Sequence, residues 1–210
     1  MSGIKQLLAN NRAWRDQMER EKPGFFRGLI DQQRPRFLWI GCADSRVPAN
    51  QITGLEPGQV FVHRNVANLV VHSDLNCLSV LDFAVNTLEI QDVIVCGHYG
   101  CGGIAAALSP GSGRVVDHWI RHVRDIAKFY RNEIEREPTT DAQARRLAEL
   151  NVAVQVVHVR ECPVLQATPA ARAVRVHGWI YDVADGLLRD LTHTVDAVRA
   201  LEPSAPDAPK

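Results

Sequence analysis

A histidine and a cysteine stand three positions apart in a glycine-rich segment, Gly97-His98-Tyr99-Gly100-Cys101-Gly102-Gly103. Imidazole and thiolate are common zinc ligands, and a His and a Cys with two residues between them can supply half of a zinc site. A second cysteine, Cys42, ends another apolar run. Cys42, His98 and Cys101 would together hold one zinc ion per chain and leave a fourth position available, a pattern typical of catalytic zinc.

Asp44 and Arg46 follow Cys42 at intervals of two residues. In an extended chain, side chains two positions apart point to the same side, so Asp44 could be a fourth ligand that closes the site. Arg46 could instead pair with Asp44 through two parallel hydrogen bonds and leave the fourth position free for water. The sequence therefore predicts two alternative states, which differ in the partner of Asp44.

Strands must deliver these ligands to one place. Residues 36–42 and 92–97 are short apolar runs, the second rich in β-branched side chains, and both are typical of buried strands. Residues 104–108 are typical of the first turns of a helix. Because crevices form outside the carboxyl ends of parallel strands, we predict an α/β fold. It has a central, mostly parallel sheet flanked by helices, and zinc lies at the carboxyl ends of the strands.

Three segments carry a family resemblance: Cys42-Ala43-Asp44-Ser45-Arg46, His63-Arg64-Asn65-Val66-Ala67-Asn68 and the glycine-rich segment 97–103. They resemble the signature blocks of the β-class carbonic anhydrases, and the resemblance extends from about Ile4 to about Leu191. It implies an enzyme that reversibly hydrates carbon dioxide to bicarbonate and a proton on a zinc held by two Cys and one His. In that reaction Asp44 would orient the reacting water, and Arg46 would keep Asp44 ionised and off the metal.

The resemblance also implies residues that contact the substrate. A glutamine at the spacing of Gln33 from the first cysteine reaches into the substrate site of the family. Gly102 and Gly103 can present backbone N–H groups to a developing bicarbonate oxygen. Candidates for an apolar wall around carbon dioxide are Phe61, Val66 and Phe83; the alternative is that all three belong to the core, which we favour for Phe83.

One subtype of the family has a second, noncatalytic bicarbonate site, marked by a Trp, an Arg and a Tyr. This chain has Trp39, Arg64 and Tyr181 in the matching places, and a guanidinium with two aromatic donors suits a small oxyanion. Val47 would be displaced when bicarbonate binds. We hypothesise that bicarbonate and low pH favour the closed, Asp44-ligated state. The subtype resemblance further implies a homodimer or a dimer-of-dimers tetramer.

Composition limits the remaining classes. The 210 residues include 24 basic and 24 acidic side chains, so the net charge of zero argues against a nucleic-acid partner. No apolar run is long enough to span a bilayer, and the amino terminus lacks the apolar core of a signal peptide. Five cysteines, an odd number, favour reduced thiols and a cytoplasmic location. We expect no membrane association.

We predict a single domain over residues 1–201, with a helical arm at 1–22 and a disordered Pro/Ala-rich tail at 202–210. Further helices are predicted over 74–88, 116–134 and 142–158, and a hairpin over 173–183 and 187–191. His118 and His122 are four residues apart, a spacing that can chelate metal. Without an acidic third ligand nearby, a solvated surface pair is favoured, and His63 is interpreted as a hydrogen-bonded core histidine.

Two other functions are compatible with the same residues. Carbonyl sulfide and carbon disulfide hydrolases share the resemblance and the ligands, and a substrate assay separates them from a carbonic anhydrase. A zinc closed by Cys42, Asp44, His98 and Cys101 would suit a noncatalytic bicarbonate-sensing protein. The chain lacks the motifs of zinc deaminases and of dinucleotide-binding domains. Because thiolates make zinc less electrophilic than imidazoles do, we expect the best activity above neutral pH.

Overall fold

The computed structural model describes residues 3–30, 33–169 and 172–200. The chain divides into two compact units, Met1–Arg34 and Pro35–Lys210. The predicted single domain stays a prediction, and the predicted disordered tail at 202–210 lies outside the described residues.

The first unit consists mainly of helix α1, Gly3–Glu21, which confirms the helix predicted there. None of its residues is buried, and its apolar side chains Ile4, Leu7 and Leu8 are 71%, 61% and 58% exposed. The backbone N–H of Gly24 donates to the Glu19 carboxylate at 2.7 Å just beyond the end of the helix. The helix thus presents an uncovered apolar face, as expected of an arm, but the arm itself stays a prediction.

The second unit is built on a five-stranded sheet in the order β2-β1-β3-β4-β5. The strands are β1 (Phe37–Cys42), β2 (Val60–Asn65), β3 (Asp92–His98), β4 (Arg175–Asp182) and β5 (Leu187–Asp190). The first four strands of that order pair in parallel, and β5 adds an antiparallel edge. The predicted α/β class, the expected pairing of β1 with β3 and the predicted hairpin are confirmed.

The helices connect the strands and cover the sheet. They are α2 (Ala49–Thr53), α3 (Leu75–Asp82), α4 (Gly102–Ala107), α5 (Val115–Trp119), α6 (Arg121–Phe129), α7 (Arg131–Ile134), α8 (Thr140–Glu161), α9 (Pro163–Gln166) and α10 (Thr192–Ala200). A π-helical turn, Phe83–Thr87, continues α3 and so completes the helix predicted over 74–88. Among the described helices, none is long and apolar enough to cross a membrane.

The long helix α8 forms the main core with one face of the sheet. Ten of its residues are buried, including Val152 and Val156, which pack beside glycines of β3 and β4. The opposite face of the sheet carries a smaller apolar cluster of Trp39, Val47, Ala49, Ile94 and Cys96. Burial on both faces explains why β1 and β3 are continuously apolar.

The single helix predicted over 116–134 is wrong. The structure has three short helices there, α5, α6 and α7, separated at Ile120 and Tyr130. Both separating residues are buried, at 0% and 8% exposure. A straight helix keeps only one stripe of its surface against the core, so bends at these two residues let successive turns contact it. As a result, His118 and His122 belong to different helices.

Gly97 lets helix α8 approach β3 closely, one residue before His98. A Cβ atom at Gly97 would lie 2.6 Å from Cγ2 of the buried Val152, whereas a Cβ at Gly102 would meet nothing within 4 Å. Gly97→Ala should therefore destabilise the fold by roughly 1–3 kcal/mol, the usual cost of overpacking a core. Urea unfolding measures this change, and Gly102→Ala is the matched control that should leave the midpoint nearly unchanged. Equal shifts in the two variants would contradict the packing argument.

Candidate metal centre

Parallel pairing places the carboxyl ends of β1 and β3 side by side. Gly41 of β1 is in register with Cys96 of β3, so Cys42 and His98 both reach the same edge of the sheet. Cys101 follows the turn after β3 and is the residue just before α4. Ligand atoms of Cys42, His98 and Cys101 all lie within 4.8 Å of one another. The three predicted ligands are therefore brought together and buried.

The His98 ring is oriented for a metal. Its Nδ1 lies 3.0 Å from the carbonyl oxygen of Tyr99 and donates to it, so the lone pair resides on Nε2. Nε2 is buried and has no hydrogen-bond partner among the described residues. Buried polar atoms are rarely left unpaired, and a metal-ligating imidazole commonly donates its other N–H to a carbonyl. The orphaned Nε2 thus fits a zinc ion.

The two thiols are spaced for a shared cation. The Sγ atoms of Cys42 and Cys101 are 3.9 Å apart, close to the separation of about 3.8 Å expected for two sulfurs at 2.3 Å from one tetrahedral zinc. The hydrogen bond from Cys101 lowers the pKa of Cys42 to about 4. The adjacent Cys42 and burial raise the pKa of Cys101. A bound divalent cation would allow both sulfurs to be thiolates.

Asp44 is held beside these ligands by Arg46, which is one of the two arrangements that the sequence leaves open. The guanidinium donates from Nε to Oδ1 at 3.0 Å and from NH2 to Oδ2 at 2.8 Å, and the backbone N–H of Arg46 donates to Oδ1 at 2.9 Å. These hydrogen bonds hold the pKa of Asp44 well below its usual range. Oδ2 also lies 3.7 Å from Nε2 of His98. The ionised carboxylate is therefore within reach of the ligand group while paired with Arg46.

Arg64 and Val47 hold the main chain between Cys42 and Arg46. The Arg64 guanidinium donates to the carbonyl oxygen of Cys42 at 2.8 Å and to that of Asp44. The backbone N–H of Val47 donates to the same Asp44 carbonyl at 3.1 Å. Both residues were predicted for the noncatalytic bicarbonate site, and both contact the segment that carries Asp44.

Trp39 and Tyr181 lie in the apolar cluster that also contains Val47, on the face of the sheet opposite α8. The indole Nε1 of Trp39 is buried and has no hydrogen-bond partner among the described residues. A Cβ atom at Gly41 would lie only 2.3 Å from that nitrogen. Tyr181 pairs in register with His98 and its carbonyl oxygen accepts a hydrogen bond from the Tyr99 N–H.

The residues predicted to contact substrate differ in how far they are buried. Phe61 is half-buried, with its ring centroid 5.9 Å from that of Phe83. Val66 and Phe83 are 37% and 41% exposed, so the core interpretation favoured for Phe83 is wrong. Its position on the π-helical turn leaves the ring open on one side. Gln33 is exposed and belongs to the first unit, and its role stays a prediction.

The two glycines at the start of α4 differ in their surroundings. A Cβ at Gly103 would lie 2.9 Å from Val66 and 3.1 Å from Ala67, so the absence of a side chain lets α4 approach that segment. The backbone N–H groups of Gly103 and Ile104 hydrogen-bond to the Cys101 sulfur and favour its thiolate form. Gly103 thus has a ligand-supporting contact, and the oxyanion role of Gly102 and Gly103 stays a prediction.

Sequence reasoning missed a clamp on Tyr99, the residue whose carbonyl orients His98. The Tyr99 hydroxyl donates to the Glu149 carboxylate at 2.5 Å, and the guanidinium carbon of Arg145 lies 3.6 Å from the ring centroid. Burial and Glu149 raise the pKa of Tyr99 to about 12. The four-residue spacing of Arg145 and Glu149 on α8 is visible in the sequence, but their shared partner becomes apparent only in the fold.

A set of buried amides was also missed. Asn151 of α8 donates to the Ala67 carbonyl at 2.9 Å, and Gln155 accepts from the Val70 N–H at 2.7 Å. The segment between β2 and α3 needs this support because Ala67 and Asn68 have positive φ values of 65° and 48°. Helix α8 thereby holds the segment that packs against α4, which begins directly after Cys101.

Comparison with known proteins agrees with this geometry. The sequence model of the carbonic anhydrase family matches residues 37–188. The chain is 41% identical to the carbonic anhydrase of Emericella nidulans over 89% of this chain and 82% of that relative. Its fold matches a tetrameric β-carbonic anhydrase of Sordaria macrospora with a TM-score of 0.88 and 35% identity, covering 91% and 98% of the two chains. The chain belongs to the β-class carbonic anhydrases.

A further solved structure supports the same family. The β-carbonic anhydrase of Aspergillus fumigatus superposes with a TM-score of 0.87 and 37% identity over 94% of this chain and 97% of that one. As a β-carbonic anhydrase, the protein is a zinc enzyme, and its Cys-His-Cys group is suited to hold the ion. The fold, the family and the cofactor predicted from the sequence are confirmed.

Loss of a ligand thiol should weaken zinc binding, whereas loss of a buried thiol outside the ligand group should not. We expect Cys101→Ser to weaken zinc affinity by at least about 10-fold and to lower the melting temperature, since a ligand that binds the folded state stabilises it. Zinc content after dialysis and thermal unfolding measure both effects. Cys96→Ser is the matched control, because Cys96 is a buried thiol of β3 outside the ligand group. Retention of zinc by the Cys101 variant would disprove this ligand assignment.

Proposed function

We propose that this β-carbonic anhydrase hydrates carbon dioxide reversibly to bicarbonate, with Asp44 and Arg46 as its catalytic side chains, and that bicarbonate regulates it. One observation carries the catalytic part: the orphaned His98 Nε2 and two thiols adjoin a carboxylate that Arg46 holds ionised. This arrangement offers three ligands and a separate carboxylate that can accept a hydrogen bond from the reacting water. Zinc, when bound, lowers the pKa of a water molecule so that it becomes a nucleophile near neutral pH.

Asp44 orients the reacting water. An ionised carboxylate only accepts hydrogen bonds, so Asp44 accepts one from the water and directs its lone pair toward the substrate carbon. Arg46 supports this role by keeping the proton off Asp44 and by holding both carboxylate oxygens in a fixed orientation. The Arg46 NH2 group also donates to the Gly100 carbonyl at 3.1 Å, which links Asp44 to the turn between His98 and Cys101.

Apolar and backbone groups bind the substrate in this proposal. Carbon dioxide is uncharged, and the apolar wall around it is assigned to Val66, which lies beside Gly103 at the start of α4, and to the half-buried Phe61. The N–H groups at the start of α4, from Gly102 and Gly103, stabilise the developing bicarbonate, and Gln33 is assigned a substrate contact by the family resemblance alone. The resemblance to the family supports these three assignments.

Bicarbonate regulates the enzyme, in this proposal, by binding at a second site outside the metal centre. The buried, unpartnered indole N–H of Trp39 offers a donor to a small oxyanion, and Arg64 and Tyr181 supply charge and a hydroxyl. Val47 is bonded to the Asp44 carbonyl, so its displacement by bicarbonate would move the segment that carries Asp44. The Asp44–Arg46 pair would then break, and Asp44 would become a zinc ligand. In this proposal low pH also favours the closed state, in which Asp44 is a zinc ligand.

The proposed assembly is a homodimer or a dimer of dimers in the cytoplasm. The Sordaria macrospora relatives are tetrameric, and the exposed apolar side chains Ile4, Leu7 and Leu8 of α1 supply a surface that a partner subunit could cover. Light scattering of the purified protein tests the oligomeric state.

Stopped-flow hydration of carbon dioxide from about pH 6.5 to 9, a range that brackets a zinc-bound water, tests the catalytic proposal. Because the pKa of Asp44 lies well below its usual range, this group stays ionised throughout, and the rise in rate toward alkaline pH should come from the water. Asp44→Asn should lower kcat by about 10²–10³-fold, the usual cost of removing one preorganised hydrogen-bonding group from an active site.

Zinc content is measured on the same samples, and carbonyl sulfide is assayed in parallel. A fully zinc-loaded protein that is inactive with carbon dioxide at every pH would refute the proposal. Activity with carbonyl sulfide alone would identify the hydrolase alternative, and inactivity with both substrates would favour the closed, bicarbonate-sensing alternative.

Trp39→Phe tests regulation separately from catalysis. It removes the indole N–H but keeps an aromatic ring, so we expect bicarbonate inhibition to weaken by about 10-fold, the loss expected when one hydrogen bond worth about 1.4 kcal/mol is removed. The control is Trp179→Phe, since the Trp179 ring lies 6.3 Å from that of Trp39 in an edge-to-face contact. Equal bicarbonate inhibition of both variants and the parent enzyme would refute the regulatory site.

A further inference from the structure

A cavity of about 360 Å³ lies outside the zinc centre and contains three histidines. Its lining residues are Val70, Val71, His72, Ser73, His122, Gln155 and His158. The histidines come from three segments of the chain: the loop after β2, helix α6 and helix α8. None of the lining residues is acidic, and none is a cysteine. The catalytic mechanism uses none of these three side chains.

The His158 ring is held by a hydrogen bond to the main chain. Its Nδ1 donates to the Val70 carbonyl at 2.9 Å, which fixes the tautomer and leaves the lone pair on Nε2. Burial lowers the pKa of His158, and the neighbouring His72 and His122 act in the same direction, while the Val70 carbonyl and Glu161 oppose them. His158 is therefore neutral at physiological pH, the form in which imidazole binds metals.

The other two imidazoles, those of His72 and His122, line the same cavity. The ring centroids of His72 and His158 are 4.4 Å apart, with the rings tilted by 49°. His72 and His122 are exposed at the surface of the cavity, and the His122 ring also lies 6.3 Å from that of Trp119 in an edge-to-face arrangement. Metal binding would require both side chains to rotate toward His158. Among the described residues, only the Cys42, His98 and Cys101 group is already assembled within 4.8 Å. The histidine group would therefore assemble on binding.

We propose that His72, His122 and His158 form a second metal site, for a first-row divalent cation such as Zn²⁺, Ni²⁺ or Cu²⁺. Imidazole nitrogen suits these ions, whereas Mg²⁺ and Ca²⁺ need oxygen ligands that this cavity does not supply from side-chain carboxylates. A carbonyl-bonded His158 has the tautomer that metal-ligating histidines use. The bound ion would connect α6 and α8 to the loop whose backbone Gln155 also supports.

Titration of the zinc-loaded enzyme with additional Zn²⁺ tests this site. Calorimetry should detect a second equivalent per chain, and His158→Gln and His72→Ala should each weaken its binding by about 10-fold or more. His72 is exposed, so its variant tests the site even where His158→Gln perturbs folding. Thermal unfolding with excess Zn²⁺ should show a higher melting temperature in the parent than in either variant.

His118→Ala is the matched control, because His118 is an exposed histidine of the neighbouring helix α5 and does not line the cavity. It should bind the second equivalent as the parent enzyme does. The proposal is overturned if the parent binds only one zinc ion, if the cavity variants bind the second as tightly as the parent, or if the His118 variant loses it equally.

Discussion

The parallel pairing of β1 with β3 is the constraint on which the metal centre depends. Cys42 ends one strand and His98 ends the other, and they share no sequence proximity. The pairing places both at one edge because parallel strands run in the same direction and these two are in register. Burial of both sheet faces holds that register, since a slip by one residue would move Leu38 and Ile40 out of the larger core cluster and exchange them with Trp39 of the smaller cluster.

The surroundings of the centre are held by polar contacts from α8 as well as by packing. Asn151 and Gln155 satisfy backbone groups of the segment after β2, and Glu149 with Arg145 fixes Tyr99. Unpaired polar groups in a core are costly, so these side chains specify one arrangement of the backbone around the ligands. One helix therefore supports both sides of the zinc centre, through Tyr99 beside His98 and through the segment that packs on α4.

The charge at the centre is balanced by short-range contacts. Arg46 pairs with Asp44, and Arg64 donates to the carbonyl oxygens of Cys42 and Asp44. The Arg46 side chain is half exposed, whereas that of Asp44 is 17% exposed. Water competes for the guanidinium and so reduces the net free energy that the ion pair contributes. A modest preference of a ligand for one arrangement would therefore be enough to change the partner of Asp44, which is what the proposed regulation requires.

The sequence by itself determined the ligand types, the strands that carry them and the two possible partners of Asp44. These features are local: ligand spacing, apolar runs and side chains two residues apart follow from neighbouring residues. The tertiary structure alone decided the breaks at Ile120 and Tyr130, the exposure of Phe83 and the clamp on Tyr99. It also decided that His122 lines one cavity with His72 and His158, whereas His118 does not line that cavity. These features depend on contacts between segments far apart in the chain, for which periodicity and spacing carry no signal.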